Sequence, residues 1–168
     1  MLSWLLTIGC AVVLTVIIRA TLLQAYSIPS PSMVPTLDVG DRVLVSRLSR
    51  DPARGDIIVF DRPPRDPKQS PDDPDVLIKR VIGLPGETVS SRDGHVFIDG
   101  KSLAEPYLSD QSDTFFPSPI HVGPDELLVM GDNRVNSSDG RVFGPIRKES
   151  IVGRAIARIW PLGRIGRL

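Results

Sequence analysis

Beyond residue 26 the chain is a series of short apolar runs separated by turns, and this pattern limits the folds open to it. Five runs have strand length and many β-branched residues: RVLVS (42–46), DIIVF (56–60), VLIKRVI (76–82), HVFID (95–99) and ELLVM (126–130). A sixth run, IVGRAIARIW (151–160), follows near the end. Because no later stretch has a sustained helical period with caps, we predict an all-β domain.

Turn signals indicate how these strands pair. Asp93-Gly94 and Asp99-Gly100 are hairpin signals on either side of one run, and Leu84-Pro85-Gly86-Glu87 suits a type II turn. The sheets are therefore predicted to be mostly antiparallel. Residues 61–75 hold five prolines and five aspartates, which predicts a mobile surface loop within the domain rather than a domain boundary.

The first 23 residues have a different composition. Residues 2–18 read LSWLLTIGCAVVLTVII and carry no charge. A helix continued through residue 23 would span roughly 33 Å, provided that Arg19 reaches the headgroups. The alternative is a cleavable signal peptide, but no positive segment precedes the run and no small-residue cleavage site follows it. We therefore predict one transmembrane anchor at 1–23 and a β-rich domain at 24–168; the residues leave the anchor's orientation open.

Composition argues against several classes of function. Twenty basic residues balance 20 acidic ones, so no net charge attracts nucleic acid. Cys10 is the single cysteine, which excludes an internal disulfide and a cysteine-based metal site. His95 and His121 are isolated from each other and from any carboxylate cluster with ligand spacing. We predict no nucleic-acid partner, no metal and no cofactor.

One segment that resembles a phosphate-binding loop is predicted to be a hairpin instead. GHVFIDGKS (94–102) has five residues between its glycines rather than four, and those five alternate like a strand. No G-x-S-x-G or S-x-x-K pattern occurs either, so the common serine-nucleophile signatures are missing.

Two polar segments are open to two interpretations each. YSIPSPSMVPTL (26–37) combines three serines with three prolines. It is either a plain linker or a rigid cradle that holds one reactive serine. GDNRVNSSDGR (131–141) is rich in turn formers, and its short polar groups either hold their own backbone or brace a charged centre.

Lys79 is the one candidate base. Within VLIKRVI both faces of the strand are mostly apolar, so the ammonium group would be poorly solvated and its pKa would fall. A neutral lysine could take a proton from a serine hydroxyl. The alternative is an edge-strand lysine that extends into water.

Taken in order, YSIPSPSMVPTL followed by GDRVLV, IKRVIGLPGE and MGDNRVNSSDGR resemble the bacterial type I signal peptidase family. The resemblance extends to the N-terminal anchor, HVFIDGKSLAEPYL (95–108) and IVGRAIARIWP (151–161). It implies the signal-peptidase and SOS-repressor-like β fold, and a membrane-bound serine endopeptidase with a Ser/Lys dyad.

The resemblance also implies roles for residues at the motif positions. Ser32, directly before Met33, would be the nucleophile, and Lys79 would be the general base. Ser30 and the backbone N–H of Ser32 would form the oxyanion hole. Met33 would dock the segment on the β domain and contribute to substrate binding.

Three further residues would support the dyad. Ser137 would hydrogen-bond and orient the lysine, and Asp139 and Arg141 would form an ion pair that braces the site. Two positions depart from the family pattern, since Pro31 stands where glycine is frequent and Gly140 where serine is common.

Implied substrates are exported preproteins with small residues at the first and third positions before the cut. The implied location is the cell membrane, with a single pass through the lipid bilayer and the catalytic domain on the extracytoplasmic side. Two alternatives compete: a soluble, self-cleaving repressor-type peptidase that shares the dyad, and a membrane-anchored β-domain that acts as a binding or scaffold module, including a catalytically inactive relative. The uncharged N-terminal run argues against the first.

Overall fold

The computed structural model describes residues 4, 7–11, 22–48, 51–64, 66, 74–109 and 113–168. In these ranges the chain forms twelve strands, and all their pairings are antiparallel. The strands are β1 (Leu23–Ser27), β2 (Arg42–Ser46), β3 (Ile57–Asp61), β4 (Val76–Gly83), β5 (Thr88–Arg92), β6 (His95–Ile98), β7 (Lys101–Ser102), β8 (Ile120–His121), β9 (Glu126–Met130), β10 (Ile146–Arg147), β11 (Ile151–Trp160) and β12 (Gly166–Arg167). A short helix, α1 (Gly140–Phe143), and 3-10 turns at Pro31–Met33, Lys148–Ser150 and Leu162–Arg164 complete these elements.

The strands divide between a large and a small sheet. The large sheet has the order β1-β2-β11-β3-β4-β9-β10, with β12 paired to β11, and the small one has the order β7-β6-β5-β8. Strand β4 therefore lies in the interior of the large sheet, between β3 and β9. Both sides of its backbone are hydrogen-bonded, which excludes the edge-strand interpretation of Lys79.

The all-β, mostly antiparallel prediction is confirmed. The runs 42–46, 126–130 and 151–160 are strands with those bounds, and the other three are strands shifted or resized by one residue at an end. Both predicted hairpin turns form, with positive φ at Asp93, Gly94, Asp99 and Gly100. The type II turn also forms, because Gly86 has φ +83° and Glu87 N donates to Leu84 O.

Three apolar clusters fill the two sides of the large sheet and the space between the sheets, and β4 contributes to each. Ile78 belongs to the first cluster, Val81 to the second and Ile82 to the third. Fully burying one such side chain contributes about 1.5–3 kcal/mol. The prediction that β4 is buried on both faces is therefore correct, and the strand is a fixed support for Lys79.

The predicted anchor falls mostly outside the described residues. Residues 4, 7–11 and 22 are helical, whereas residues 1–3, 5–6 and 12–21 of the segment are not described. Within the described ranges no helix has the length and apolarity needed to cross a bilayer. Leu23, the last residue of the predicted anchor, already belongs to β1.

Candidate active site

The serine- and proline-rich segment packs against the large sheet and is not a free linker. Ile28, Met33 and Leu37 are fully buried in the first apolar cluster. Ser30 is extended, and Pro31 opens the 3-10 turn that carries Ser32. Proline suits this first position because its φ is preset and its missing N–H would have no partner within the turn. Apolar anchors and a stiff turn thus hold the small hydroxyls in place.

Ser32 and Lys79 meet although 47 residues separate them in sequence. Lys79 Nζ donates to Ser32 Oγ at 2.8 Å and to Ile78 O at 2.9 Å. Ser32 is 7 % exposed and Lys79 is 3 % exposed. The sheet register explains the meeting, because the 3-10 turn packs on β4 next to the lysine.

The buried amine has a pKa suited to proton transfer near neutral pH. Burial lowers the pKa of Lys79 from 10.5 to about 8 and is the largest influence on it. The carboxylate of Asp139 opposes this fall, Arg62 adds to it, and Asp66 and Asp132 also oppose it. With a pKa near 8, roughly one lysine in ten is neutral at pH 7. An ordinary lysine would be neutral in about one molecule in a few thousand.

A cleft of about 280 Å³ opens above the pair. Ser30 and the 3-10 turn that carries Ser32 form one side, Leu77 and Lys79 of β4 form the floor, and residues 135–138 form the opposite side. Ser30 Oγ donates to Ser32 Oγ at 3.3 Å and is thus adjacent to the hydroxyl that would attack a carbonyl. Met33 is fully buried in the first apolar cluster, so it docks the turn on the β domain as predicted. Its contact with substrate stays a prediction.

The polar segment 131–141 packs around the 3-10 turn that carries Ser32. Met130 pairs with Arg80, so the segment begins next to Lys79 where β9 ends. Asn133 N donates to Ser32 O at 3.0 Å, and Asn133 Nδ2 donates to Pro31 O at 3.2 Å. These two bonds tie the segment to the turn that carries the hydroxyl.

Asp139 organises the same segment from inside. Its carboxylate accepts from Gly131 N at 2.9 Å and from Arg141 Nε and Nη2, both at 2.9 Å. Burial alone would raise the pKa of Asp139, but the hydrogen bonds and charge of Arg141 and the bond from Gly131 outweigh it, so its pKa is lowered. Asp139 and Arg141 therefore form a buried, charged brace.

Ser137 lies in the cleft wall, but its predicted bond to the lysine is not formed. Its Oγ is buried and makes no well-formed hydrogen bond to a described residue, although the hydroxyl contributes to lowering the Asp139 pKa. Its role in orienting Lys79 stays a prediction. Gly140 packs tightly, since a Cβ there would lie 2.7 Å from both Leu128 Cδ1 and Val129 O. The serine frequent in the family at this position would not fit this packing.

Sequence reasoning missed a second charged pair behind the site. Arg80 donates to both carboxylate oxygens of Asp132, from Nε at 2.9 Å and from Nη2 at 2.6 Å, and Thr36 Oγ1 donates to the same carboxylate. The guanidinium also lies 3.9 Å from the centre of the Tyr107 ring. An arginine inside an apolar strand was the available signal, because a buried cation requires a partner.

A serine hydroxyl held against a desolvated amine, in an open cleft, is the arrangement of an activated nucleophile. With the antiparallel β scaffold and the second hydroxyl of Ser30 beside Ser32, these features are those of the hydrolase class. Within the described part of the chain, no three His, Cys, Asp or Glu side chains are grouped closely enough to hold a metal ion.

Comparison with known proteins identifies the family. The sequence matches the family described as signal peptidase, peptidase S26, over residues 1–160, and the chain belongs to this family. It is therefore a peptidase, a hydrolase that cuts peptide bonds.

Similar proteins carry matching names. The signal peptidase I of Leptolyngbya laminosa is 46 % identical, over 96 % of this chain and 81 % of the relative. The probable signal peptidase I-2 of Synechocystis sp. is 41 % identical, over 96 % of this chain and 74 % of the relative. A crystal structure of a signal peptidase I from Enterococcus faecalis V583 is 32 % identical, with a TM-score of 0.49 over 62 % of this chain and 96 % of that one.

Proposed function

We propose that this chain is a membrane-anchored serine endopeptidase that removes N-terminal signal peptides from exported preproteins, with Ser32 as nucleophile and Lys79 as general base. The observation that carries the assignment of the dyad is the 2.8 Å contact between Lys79 Nζ and Ser32 Oγ at a buried position. The names of the relatives support the substrate class.

In the first step, neutral Lys79 takes the proton of Ser32 while Oγ attacks the scissile carbonyl carbon. The carbonyl oxygen gains negative charge and is stabilised by Ser30 Oγ and the backbone N–H of Ser32. Each such donor contributes about 3 kcal/mol to the stability of the transition state. Protonated Lys79 then gives its proton to the leaving amine, and the mature protein departs with a new amino terminus.

The second step repeats this chemistry with water. Lys79, neutral again, takes a proton from a water molecule that attacks the acyl-enzyme carbonyl. The bond to Ser32 Oγ breaks, the serine regains a proton from the lysine, and the signal peptide leaves as a carboxylate. The bracing pair of Asp139 and Arg141 holds the segment opposite the dyad through both steps.

The substrate and location follow from the family and from the predicted anchor. Small residues at the first and third positions before the cut are proposed, as the resemblance implies. Residues 1–23 are proposed to cross the lipid bilayer once, with 24–168 as the catalytic domain on the extracytoplasmic side of the cell membrane. Exported preproteins emerge on that side, and their cleavage sites become accessible there.

Cleavage of a preprotein in detergent tests the proposal. Wild type is compared with Ser32→Ala and Lys79→Ala, and with Ser27→Ala as a matched control on an exposed serine of β1. The two dyad variants should lose at least about a thousandfold in kcat/KM, and Ser27→Ala should cut like wild type. Wild-type rates for both dyad variants would refute the assignment, and an inactive wild type would favour the scaffold alternative.

A further inference from the structure

The proline-rich connection between β3 and β4 contributes a buried carboxylate next to the site. The side chain of Asp66 is 0 % exposed, although its sequence neighbourhood predicts a mobile surface loop. Ser138 Oγ donates to Asp66 Oδ1 at 3.0 Å, and Arg62 Nη1 donates to Asp66 Oδ2 at 2.5 Å. The surface-loop prediction is therefore wrong at this position, because Asp66 is bonded to the polar segment of the active site.

Arg62 is held through its backbone and its side chain, and it lines the cleft. Its Nε donates to Pro74 O at 3.1 Å, its backbone N donates to Asp75 O at 2.8 Å, and its side chain is 8 % exposed. The same cleft is lined by Lys79 and Ser138. Arg62 thus lines the cleft beside the lysine, and the buried Asp66 holds its guanidinium from behind.

Several charges act on the Lys79 amine. Asp139 and Asp132 belong to the polar segment, whereas Arg62 and Asp66 belong to the connection after β3. The two members of the connection act in opposite directions, since Arg62 favours the neutral amine and Asp66 favours the protonated one. Because the two charges act in opposite directions, removing either one alone changes the net field at the amine.

We propose that Arg62 and Asp66 are positioning residues for the general base: Asp66, bonded to Ser138, holds Arg62 in the cleft beside Lys79, and the two opposite charges together set the electrostatic environment of the amine. This inference rests on the proposed Ser/Lys mechanism. It assigns a role in the reaction to a segment that the family motifs do not include.

The test is the pH dependence of kcat/KM on a signal-peptide substrate in detergent. Activity rises with pH as Lys79 loses its proton in the free enzyme. The acidic limb of the profile, defined here by the pH at which kcat/KM is half of its maximum, should therefore lie near pH 8. Asp66→Asn removes a charge that favours the protonated amine, so the limb should move to lower pH. Arg62→Gln should move it to higher pH. Each shift should be on the order of half a pH unit.

Three further variants separate charge from structure. The double variant Asp66→Asn/Arg62→Gln should return the limb to the wild-type position, and Arg62→Lys should leave it there. Arg147→Gln is a matched control, because this arginine is in an exposed ion pair with Glu149 and its side chain is 69 % exposed. Its limb should stay at the wild-type pH. If Asp66→Asn fails to fold, Arg62→Gln and Arg62→Lys still decide the outcome.

Equal limbs for wild type, Asp66→Asn and Arg62→Gln, or shifts in the same direction, would overturn the inference. The proposed function fails in a different way, through activity that survives Ser32→Ala or an inactive wild type. A dead Ser32→Ala variant together with unmoved limbs would therefore leave the dyad intact and remove only the role of Arg62 and Asp66.

Discussion

Gly131 and Ser137 lie so close together that a methyl group on Gly131 would be 2.3 Å from Ser137 Oγ. The same methyl would lie 2.4 Å from the carbonyl oxygen of Ser32, and Cβ atoms essentially never come within 3.0 Å of such neighbours. The start of the polar segment 131–141 is thus in direct contact with the 3-10 turn that carries Ser32. Only glycine leaves room for this approach, and the active-site geometry depends on it.

Gly131→Ala should therefore damage both stability and catalysis. The turn or the segment must move to accept the methyl, which should cost about 1–3 kcal/mol in the free energy of unfolding. A displacement near 1 Å at the dyad should lower kcat/KM by about a hundredfold. Urea unfolding and cleavage kinetics measure the two effects.

The control for this substitution is Gly163→Ala, because a Cβ at Gly163 would have no neighbour within 4 Å. That variant should stay within about 0.5 kcal/mol of wild type. Wild-type kinetics for Gly131→Ala would contradict the claim that close packing positions the dyad.

Arg80→Met should destabilise the domain strongly. Asp132 has a side chain that is 0 % exposed, so the substitution leaves an unpaired carboxylate in the core behind the site. The expected cost is about 3–5 kcal/mol, measured by urea unfolding. The double variant Arg80→Met/Asp132→Leu should be more stable than Arg80→Met, since it removes the carboxylate that Arg80→Met leaves without its cation. A cost below about 1 kcal/mol for Arg80→Met would equal the loss of an exposed ion pair. It would contradict the claim that Asp132 is buried without another counter-charge.

Lys79→Met should be more stable than wild type at neutral pH, whereas the proposed mechanism predicts that it is inactive. The folded pKa of about 8 is below the ordinary 10.5, so below pH 8 the folded state holds a buried cation at a cost of about 3 kcal/mol. Between pH 8 and 10.5 the folded state has released the proton and the unfolded state still binds it, so wild-type stability rises with pH. The advantage of Lys79→Met should therefore shrink from pH 7 to pH 10.

Urea unfolding at several pH values measures this difference. Lys101→Met, at an exposed lysine of β7, is the control, and its difference from wild type should not change with pH. A constant advantage for Lys79→Met between pH 7 and 10 would argue against a lowered lysine pKa.

Pro31→Gly should affect stability more than catalysis. Proline at the start of the 3-10 turn restricts the unfolded chain, and its loss should cost about 0.4–1 kcal/mol. Pro31 contributes its carbonyl to the bonds from Val34 N and Asn133 Nδ2, and glycine retains that carbonyl. Cleavage kinetics should therefore change by less than about threefold.

Pro29→Gly, at an exposed proline two residues earlier and outside any helix or strand, is the comparison. It removes the same restriction from the unfolded chain, so the two variants should lose similar stability. A loss of kcat/KM above about tenfold for Pro31→Gly alone would show that the proline ring itself holds the turn.

Sequence patterns located most elements of the large sheet because strands and hairpin turns depend on neighbouring residues. The apolar residues on both faces of VLIKRVI indicated a strand buried on each side, but the pattern left open an edge-strand lysine in water, and only the structure decided that Lys79 is buried. Strand β5 is one of several that the sequence analysis did not predict; it reads TVSSR and has only Val89 fully buried, so its own residues carry little strand signal. Strand β5 forms because it pairs with the more apolar β6, which provides the cross-strand contacts that its own sequence does not predict.

The meeting of distant groups could be anticipated only through family resemblance. No local pattern predicts that Arg80 pairs with Asp132, or that Asp66 of a proline-rich connection bonds to Ser138. Such contacts depend on strand order and register, since pairing β4 with both β3 and β9 brings these segments to one place.

The sequence by itself determined the β class and an apolar strand with one lysine, because these follow from backbone preference and from the side chains on each face of a strand. It left open whether the serine- and proline-rich segment is a linker or a cradle. The tertiary structure alone decided that Lys79 Nζ lies 2.8 Å from Ser32 Oγ, which charges act on the amine, and that Gly131 must be small. Distances and burial of this kind arise only when segments remote in sequence pack together in the folded sheet.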